Sequence, residues 1–343
     1  MVNRTTARPP LSQKANVLPT GAILLGKSVV CDGFDWHRPV GVVTHVHQDH
    51  IQDFETSLGF CDPILMSSAT KDLMVALKGD HLLLRRNLKS VTFGTSVTLN
   101  DERITLYQTD HILGASQVVV ENSEGTRIAY TGDFNFPTEV IETEVLVVDA
   151  TYGDPINIRN YNKRIPVSHL LSLVKREIER QKPVYIFSYH GKIQQIMHFL
   201  DDAHINVPFL VPLKDFKIAK VYEKYGFKTG DCIKLEDQEA CEIIKRCDPY
   251  IAFYTVGSRV AEAERFLSIR VSAYEAIEPV FKVAKNRYVV AISDHADFNG
   301  ILEYVKRSHS KLVITDASRG GNAMILASEI RKRLNVAAQP CPI

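Results

Sequence analysis

The sequence predicts an α/β protein in which one α/β unit is set into another domain, and three observations predict it. From about Gly21 to Ala150 the chain is a series of short runs rich in β-branched residues, separated by Gly, Asp and Asn. From about 152 to 288 amphipathic helical stretches alternate with short apolar strands, the pattern of a layer with parallel pairing. From 289 to 343 strands and helices resume. Residues 1–151 and 289–343 therefore read as the two halves of one domain, and 152–288 reads as the insert.

In the N-terminal half AILL, SVVC, GVVTH, PILMS, SVTF, SVTL and RITLYQT are the expected strands, with one helix near Ala69–Lys78; SQVVVE, RIAYTGD and EVLVVDATYG continue the series. In the insert, PVSHLLSLVKREIERQ sets Leu170, Leu171, Val174 and Ile178 on one helical stripe. VYIFS, FLVP and YIAFYTV are expected strands between helices near His190–Ala203, Asp215–Tyr225 and Glu239–Cys247. YVVAIS, a helix near Asn299–His309, KLVIT and a helix near Asn322–Leu334 complete the chain. The basic stretches Arg159–Arg164 and Lys282–Arg287 are expected hinges.

Composition narrows the class. The 343 residues are 45% hydrophobic and 24% charged, ordinary for a globular protein. No apolar run reaches the ~18 residues of a membrane span, and MVNRTTARPPLSQKANVLPT has no apolar core of a secretory signal. A cytoplasmic protein without a membrane partner is expected. Cys31, Cys61, Cys232, Cys241, Cys247 and Cys341 form no C-x-x-C pair, so reduced thiols are expected rather than a zinc knuckle. Net charge is +1, but residues 151–290 hold 22 Lys/Arg against 17 Asp/Glu, while the remainder holds 19 against 23. A basic middle against an acidic remainder suits a lobe that faces a polyanion.

The chemistry is concentrated in VVTHVHQDH, residues 42–50. An apolar strand ends at Thr44, and His45, His47, Asp49 and His50 follow within six residues. On extended chain His45 and His47 share a face and can grip one metal. Asp49 and His50 lie one turn on and can reach a second. Zinc takes nitrogen and oxygen ligands, and two metals ~3.5–4 Å apart can polarise a phosphoryl oxygen and activate water.

H-x-H-x-D-H after a strand resembles the metallo-β-lactamase superfamily, which implies an αββα sandwich and three further residues. His111 in YQTDHILGAS matches the third histidine, Asp133 in IAYTGDF the metal-bridging aspartate, and Asp32 in VVCDGF the acid that orients the site from behind. The resemblance implies two Zn2+: His45, His47, His111 and Asp133 on the first, Asp49 and His50 on the second, Asp133 shared.

The next histidine in a matching context, His295 in ISDHADF, is 162 residues past Asp133, with the α/β segment between. That layout resembles the β-CASP nucleases, which include Artemis- and Apollo-type DNA-repair exonucleases and RNase J-like or polyadenylation-factor-like RNA nucleases. The insert is then the β-CASP domain. VVDATYG supplies Asp149; the resemblance implies that Asp149 holds His295, and that His295 touches the scissile phosphate or protonates the leaving oxygen. A carboxylate partner favours imidazolium, which suits a general acid. Asp49 orients the nucleophile. KLVITDASRGG has Asp316 where the family's last histidine ligand is expected, so the second metal is expected to be weaker or exchangeable for Mn2+, or held by Asp316 itself. FSYHGKIQQ and DASRGGN nominate Ser188, Lys192, Ser318 and Arg319 for substrate phosphates at helix N-termini.

The implied activity is hydrolysis of phosphodiester bonds in single-stranded DNA or RNA. DGF at 32–34, TGDF at 131–134, Asp149 and the absent last histidine lean toward a DNA-repair exonuclease. HADF at 295–298 and the GKIQQ segment lean toward RNA processing. A catalytically silent homologue that binds nucleic acid is a third reading, set against the intact H-x-H-x-D-H core.

Overall fold

The structure, a computed structural model, describes residues 11–272 and 278–343. Residues 1–10, half of the stretch read as lacking a secretory signal, lie outside the described residues.

In chain order the N-terminal half contains β1 (Ala15–Val17), β2 (Ile23–Leu25), β3 (Val29–Cys31), β4 (Val40–Val42), α1 (Phe54–Phe60), β5 (Ile64–Met66), α2 (Ser68–Lys78), β6 (Leu88–Ser90), β7 (Ser96–Leu99), β8 (Glu102–Gln108), β9 (Ser116–Asn122), β10 (Arg127–Tyr130) and β11 (Val145–Val148). The middle contains α3 (Arg164–Glu179), β12 (Val184–Ser188), α4 (Lys192–Asp202), β13 (Phe209–Val211), α5 (Leu213–Lys224), β14 (Cys232–Lys234), α6 (Gln238–Arg246), β15 (Ile251–Thr255), β16 (Leu267–Val271), β17 (Val280–Ala284) and β18 (Arg287–Val290). The C-terminal stretch contains α7 (Phe298–Arg307), β19 (Leu312–Asp316), α8 (Ala323–Leu334) and β20 (Ala337–Cys341).

The chain divides into two compact units, one formed by 1–71, 85–157 and 295–343, the other by 72–84 and 158–294. In the first, strands β1 to β6 form one sheet in sequence order, and β20-β19-β11-β10-β9-β8-β7 form the other. The sheets meet face to face: Ile23, Leu25, Val29, Val40, Val42 and Leu65 of one pack against Ile104, Leu106, Val118, Val120, Ile128, Val145 and Val147 of the other. Period-two alternation explains the choice of residues, since alternate side chains share a face. β11 is buried at all four positions because β10 and β19 flank it in parallel. With helices outside the two sheets, this unit is the α/β sandwich the sequence predicts.

The same topology positions a site. β10, β11 and β19 are mutually parallel, and β8 runs with β10 because both are antiparallel to β9. The residues that follow these strands, His111, Asp133, Asp149 and the last residue of β19, Asp316, therefore gather at one end of the sheet.

The second unit has a sheet ordered β14-β13-β15-β12-β16-β18-β17, parallel except for the β17–β18 hairpin. Leu170 and Val174 of α3 and Ile193, Ile196, Met197 and Leu200 of α4 cover one face through Val184, Ile186, Phe209 and Ile269. Ala240 and Ile243 of α6 pack on the other face against Tyr185, Leu210 and Ala252.

The helices expected from spacing appear within a few residues of their expected limits, whereas several strands do not follow local sequence. SVTF reads as a strand at 90–93; β6 instead ends at Ser90, because its pairing with β5 seats Leu88 opposite Ile64. The expected hinge Lys282–Arg287 is the β17–β18 hairpin; Lys282 lies on the edge strand β17, and Arg287 on β18, one strand in. Short α1 and strands β1, β14, β16, β17 and β20 carry too little local signal to be anticipated, and β20 includes Pro340, which an edge position tolerates. No helix among the described residues is long and apolar enough to cross a membrane.

Candidate metal centre

β4 brings the chain to Thr44, and the following residues run extended into a single 3-10 turn, Gln48–His50. His45 is fully buried, His47 half-buried, His50 buried and Asp49 exposed. His111 follows β8, and Asp133 follows β10 through Gly132. Gly132 sits at φ +56°, and a Cβ there would lie 2.7 Å from the Ser116 carbonyl oxygen, so only glycine lets the chain turn Asp133 inward.

The nitrogens converge. His47 Nδ1 lies 3.1 Å from His45 Nε2 and 3.1 Å from His111 Nε2. Asp133 Oδ2 is 3.5 Å from His45 Nε2 and 3.6 Å from His111 Nε2. Ligand atoms about 2.0–2.2 Å from a tetrahedral zinc stand roughly 3.3–3.6 Å apart; the two carboxylate distances fall in that range and the two imidazole distances just below it. His50 Nε2 points to the same carboxylate, 3.3 Å from Asp133 Oδ2 and 3.5 Å from Asp49 Oδ2.

The surrounding hydrogen bonds decide which lone pairs face inward. Asp32, held at φ +53° at the end of β3, accepts from the Thr44 amide at 2.7 Å, the Thr44 hydroxyl at 2.6 Å and His50 Nδ1 at 2.8 Å. His45 Nδ1 lies 3.0 Å from the same hydroxyl. A chain from His45 Nδ1–H through Thr44 Oγ1–H to Asp32 thus assigns the tautomer that leaves His45 Nε2 bare. His50, donating Nδ1–H to Asp32, leaves Nε2 as a buried atom without a hydrogen-bond partner. A bare nitrogen facing a carboxylate needs a proton or a cation between them, and histidine–carboxylate donor sets take zinc and similar ions. The residues fit a metal ion.

Electrostatics agree. Burial, with the positive charges of His50 and His111 nearby, holds His45 well below the ordinary imidazole pKa, so it is neutral and ready to ligate. Burial alone would lower His50 too, but Asp133 and Asp32 outweigh it and push its pKa up to about 10 without a metal. Burial would raise Asp133; the charges of His50 and His295 overcome it and hold the carboxyl well below the usual range.

His295 reaches the same place from the far end of the chain. Its Nδ1 is 2.8 Å from Asp149 Oδ2, and its Nε2 is 3.8 Å from Asp133 Oδ2. The other Asp149 oxygen accepts from the Thr151 amide at 2.8 Å and its hydroxyl at 2.7 Å, which fixes the carboxylate plane. His295, Asp133 and Asp149 form a second group with ligand atoms close enough for an ion.

Of the four residues nominated for phosphates, three are engaged by side chains or carbonyls of the protein and the fourth, Ser188, is buried. Ser318 donates its amide and hydroxyl to Asp316 Oδ1, at 2.8 and 2.5 Å, and Arg319 donates to Asp316 Oδ2 at 2.8 Å. Arg319 also reaches the carbonyls of Gly21 at 2.5 Å, Asp32 at 3.1 Å and Asp49 at 3.4 Å. In the other unit Ser188 is buried at the end of β12, and the Lys192 ammonium pairs with Asp294 and, at 2.8 Å, Gln195 Oε1. Sequence reasoning missed Thr44 and the reach of Arg319. Thr44, between a strand and the H-x-H run, was open to notice; the Arg319 contacts join residues almost 300 positions apart.

No family model matches the chain. An "uncharacterized protein in lig 3′ region" of Acidianus ambivalens is 39% identical over 139 residues, 40% of this chain and 98% of that protein. A probable DNA ligase of Opitutus terrae is 24% identical over 306 residues, 85% of this chain but 28% of the ligase. The transcription termination factor FttA of Pyrococcus abyssi is 30% identical over 196 residues, 47% of this chain and 30% of that factor. An RNase J-like protein of Methanocaldococcus jannaschii is 25% identical over 187 residues, 47% of this chain and 43% of its own length. The chain thus spans less than half of each of these last three relatives. A solved structure of a protein of unknown function from Enterococcus faecalis V583 matches with a TM-score of 0.54 over 82% of this chain and 76% of that one, at 15% identity, a likeness of fold.

Proposed function

Because the chain belongs to the β-CASP family of the metallo-β-lactamase superfamily, we propose that it is a metal-dependent nuclease that hydrolyses phosphodiester bonds of single-stranded nucleic acid. The unit spanning 158–294 is, in this reading, the inserted β-CASP domain. The observation that carries the proposal is the pairing of His295 with Asp149 at 2.8 Å beside the His45, His47, His111 and Asp133 cluster. A simple metal-binding centre needs no such pair; a phosphodiesterase needs a proton donor for its leaving oxygen.

His45, His47, His111 and Asp133 would hold one Zn2+, and Asp49, His50 and Asp133 a second. When bound, these ions withdraw charge from the phosphoryl oxygens and lower the pKa of water. Asp32 orients His50 and, through Thr44, His45. Asp49, on the exposed side of the 3-10 turn, accepts a hydrogen bond from the attacking water and aims it. Asp149 holds Nδ1–H of His295, so that Nε2 delivers a proton to the departing oxygen. Arg319 serves by bracing the loop tips that carry Asp32 and Asp49, and Ser318 by holding Asp316, the partner of Arg319.

For substrate we propose DNA, as a repair-type exonuclease. The alignment of 85% of this chain with part of a probable DNA ligase supports it. RNA processing is the second reading, supported by the FttA and RNase J-like relatives. Labelled single-stranded DNA and RNA of one sequence, each with and without a 5′-phosphate, separate them. Faster hydrolysis of DNA is expected; hydrolysis of RNA alone would reverse the assignment.

A further inference from the structure

The sheet of the second unit is clothed unevenly. Its α6 face is covered over β13 and β15 by Ala240 and Ile243. Along β12, β16 and β18 the same face opens into a cleft of about 710 Å3. The register shows why one chemistry collects there: Phe187 lies opposite Arg270, and Ser268 lies opposite Arg287, so Phe187, Arg270 and Arg287 point the same way. The loop after β15 adds Arg259 from the other wall. Three arginines thus line the cleft with a single acid among its described lining residues, Glu264, which pairs with Arg287 at 3.3 Å. Phe187, half-buried, supplies aromatic surface and stacks on Tyr254 at 5.9 Å, whereas Tyr288 alternates to the opposite face and packs there with α3 and α4.

A volume of this size holds a ligand of a few nucleotides' bulk. Guanidinium groups prefer phosphate, and aromatic faces stack on bases of any sequence. An apolar peptide would bring no anion to the arginines, and a single small anion would not use the aromatic floor. We propose that this cleft is a second nucleic-acid site, which holds a length of single strand by its phosphates and bases without sequence preference. The proposal rests on the nuclease reading for the identity of its polyanion. It assigns to Arg259, Arg270 and Arg287 the task of retaining the strand.

The test is fluorescence anisotropy of a labelled phosphorothioate single strand of about 15 nucleotides, with full-length metal-loaded protein over a range of salt. Each phosphate contact on a single strand contributes about 0.7 to the slope of log K against log salt. The triple variant Arg259→Gln/Arg270→Gln/Arg287→Gln should lose roughly 2 from that slope and bind at least tenfold more weakly. It should still hydrolyse bis(p-nitrophenyl) phosphate, too small to occupy the cleft, at the wild-type rate. Arg270→Lys, which keeps the charge, should keep the slope. An unchanged slope and affinity in the triple variant would overturn the proposal, and so would equal loss of small-diester hydrolysis, the mark of general damage. Wild-type protein that binds the strand through these arginines yet hydrolyses neither bis(p-nitrophenyl) phosphate nor an unmodified strand of the same sequence, as DNA or RNA, would overturn the nuclease reading and leave the cleft standing.

Discussion

Arg319 donates to Asp316 Oδ2 at 2.8 Å while its other nitrogens reach the carbonyls of Gly21, Asp32 and Asp49. Both Asp316 oxygens are taken, one by Ser318 and one by Arg319, so Asp316 acts as the anchor of a brace. Removing one partner of a buried pair strands the other's charge, at about 3–5 kcal/mol. Asp316→Ala should therefore unfold at distinctly lower urea, and Asp316→Asn should retain two metals. Loss of one metal in Asp316→Asn with unchanged stability would make Asp316 a ligand instead.

In the proposed two-metal site His50 sets the pH behaviour of the second position. Its folded pKa of about 10 lies above the ordinary 6.5, so in metal-free protein its protonated form adds stability that is complete below 6.5 and lost as pH rises through about 10. A metal on Nε2 must displace that proton. Binding of the second ion should release close to one proton at about pH 8 and strengthen as pH rises from about 6.5 to about 9. Calorimetry in two buffers of different ionisation enthalpy reads this directly; pH-independent binding would contradict it.

Gly132→Ala places a Cβ 2.7 Å from the Ser116 oxygen at a positive φ. Strain of this kind costs about 1–3 kcal/mol, and relief by rotation would carry Asp133 away from both metals. Expected are a lower unfolding midpoint and weaker binding of both ions. A variant with wild-type metal affinity would show that the turn does not aim Asp133.

His295→Ala should keep its metal content and fold while its turnover falls by about 10²–10⁴-fold, the usual share of a general acid. Asp149→Asn should fall less and shift the acid or base limb of the pH–rate profile, because His295 loses its anionic partner. Near wild-type turnover in His295→Ala would remove the proton-donor role.

The helices were legible because each declares itself locally: Leu170, Val174 and their spacing mark α3 without reference to any other segment. The metal cluster was legible for a related reason, with four of its members falling between His45 and His50. His111, Asp133, Asp149 and His295 could be nominated only through the resemblance, and parallel strand ends gather the first three. What stayed hidden depends on contacts distant in sequence. β20 exists because β19 offers a free edge, and Lys192 and Arg319 looked like phosphate ligands because nothing nearby reveals that Asp294 holds the one and the carbonyls of Gly21 and Asp32 take up the other.

The central claim is that this cluster holds the metals with which the chain cuts nucleic acid. The most direct test strips the protein with chelator, restores zinc or manganese while counting bound ions, and follows a labelled single strand throughout. Stripped protein should not cleave, cleavage should recover as the ions return, and a His47→Ala/His111→Ala variant should not recover. Restored protein with its full metal complement that leaves both DNA and RNA intact, or stripped protein that cuts at an undiminished rate, would contradict the claim.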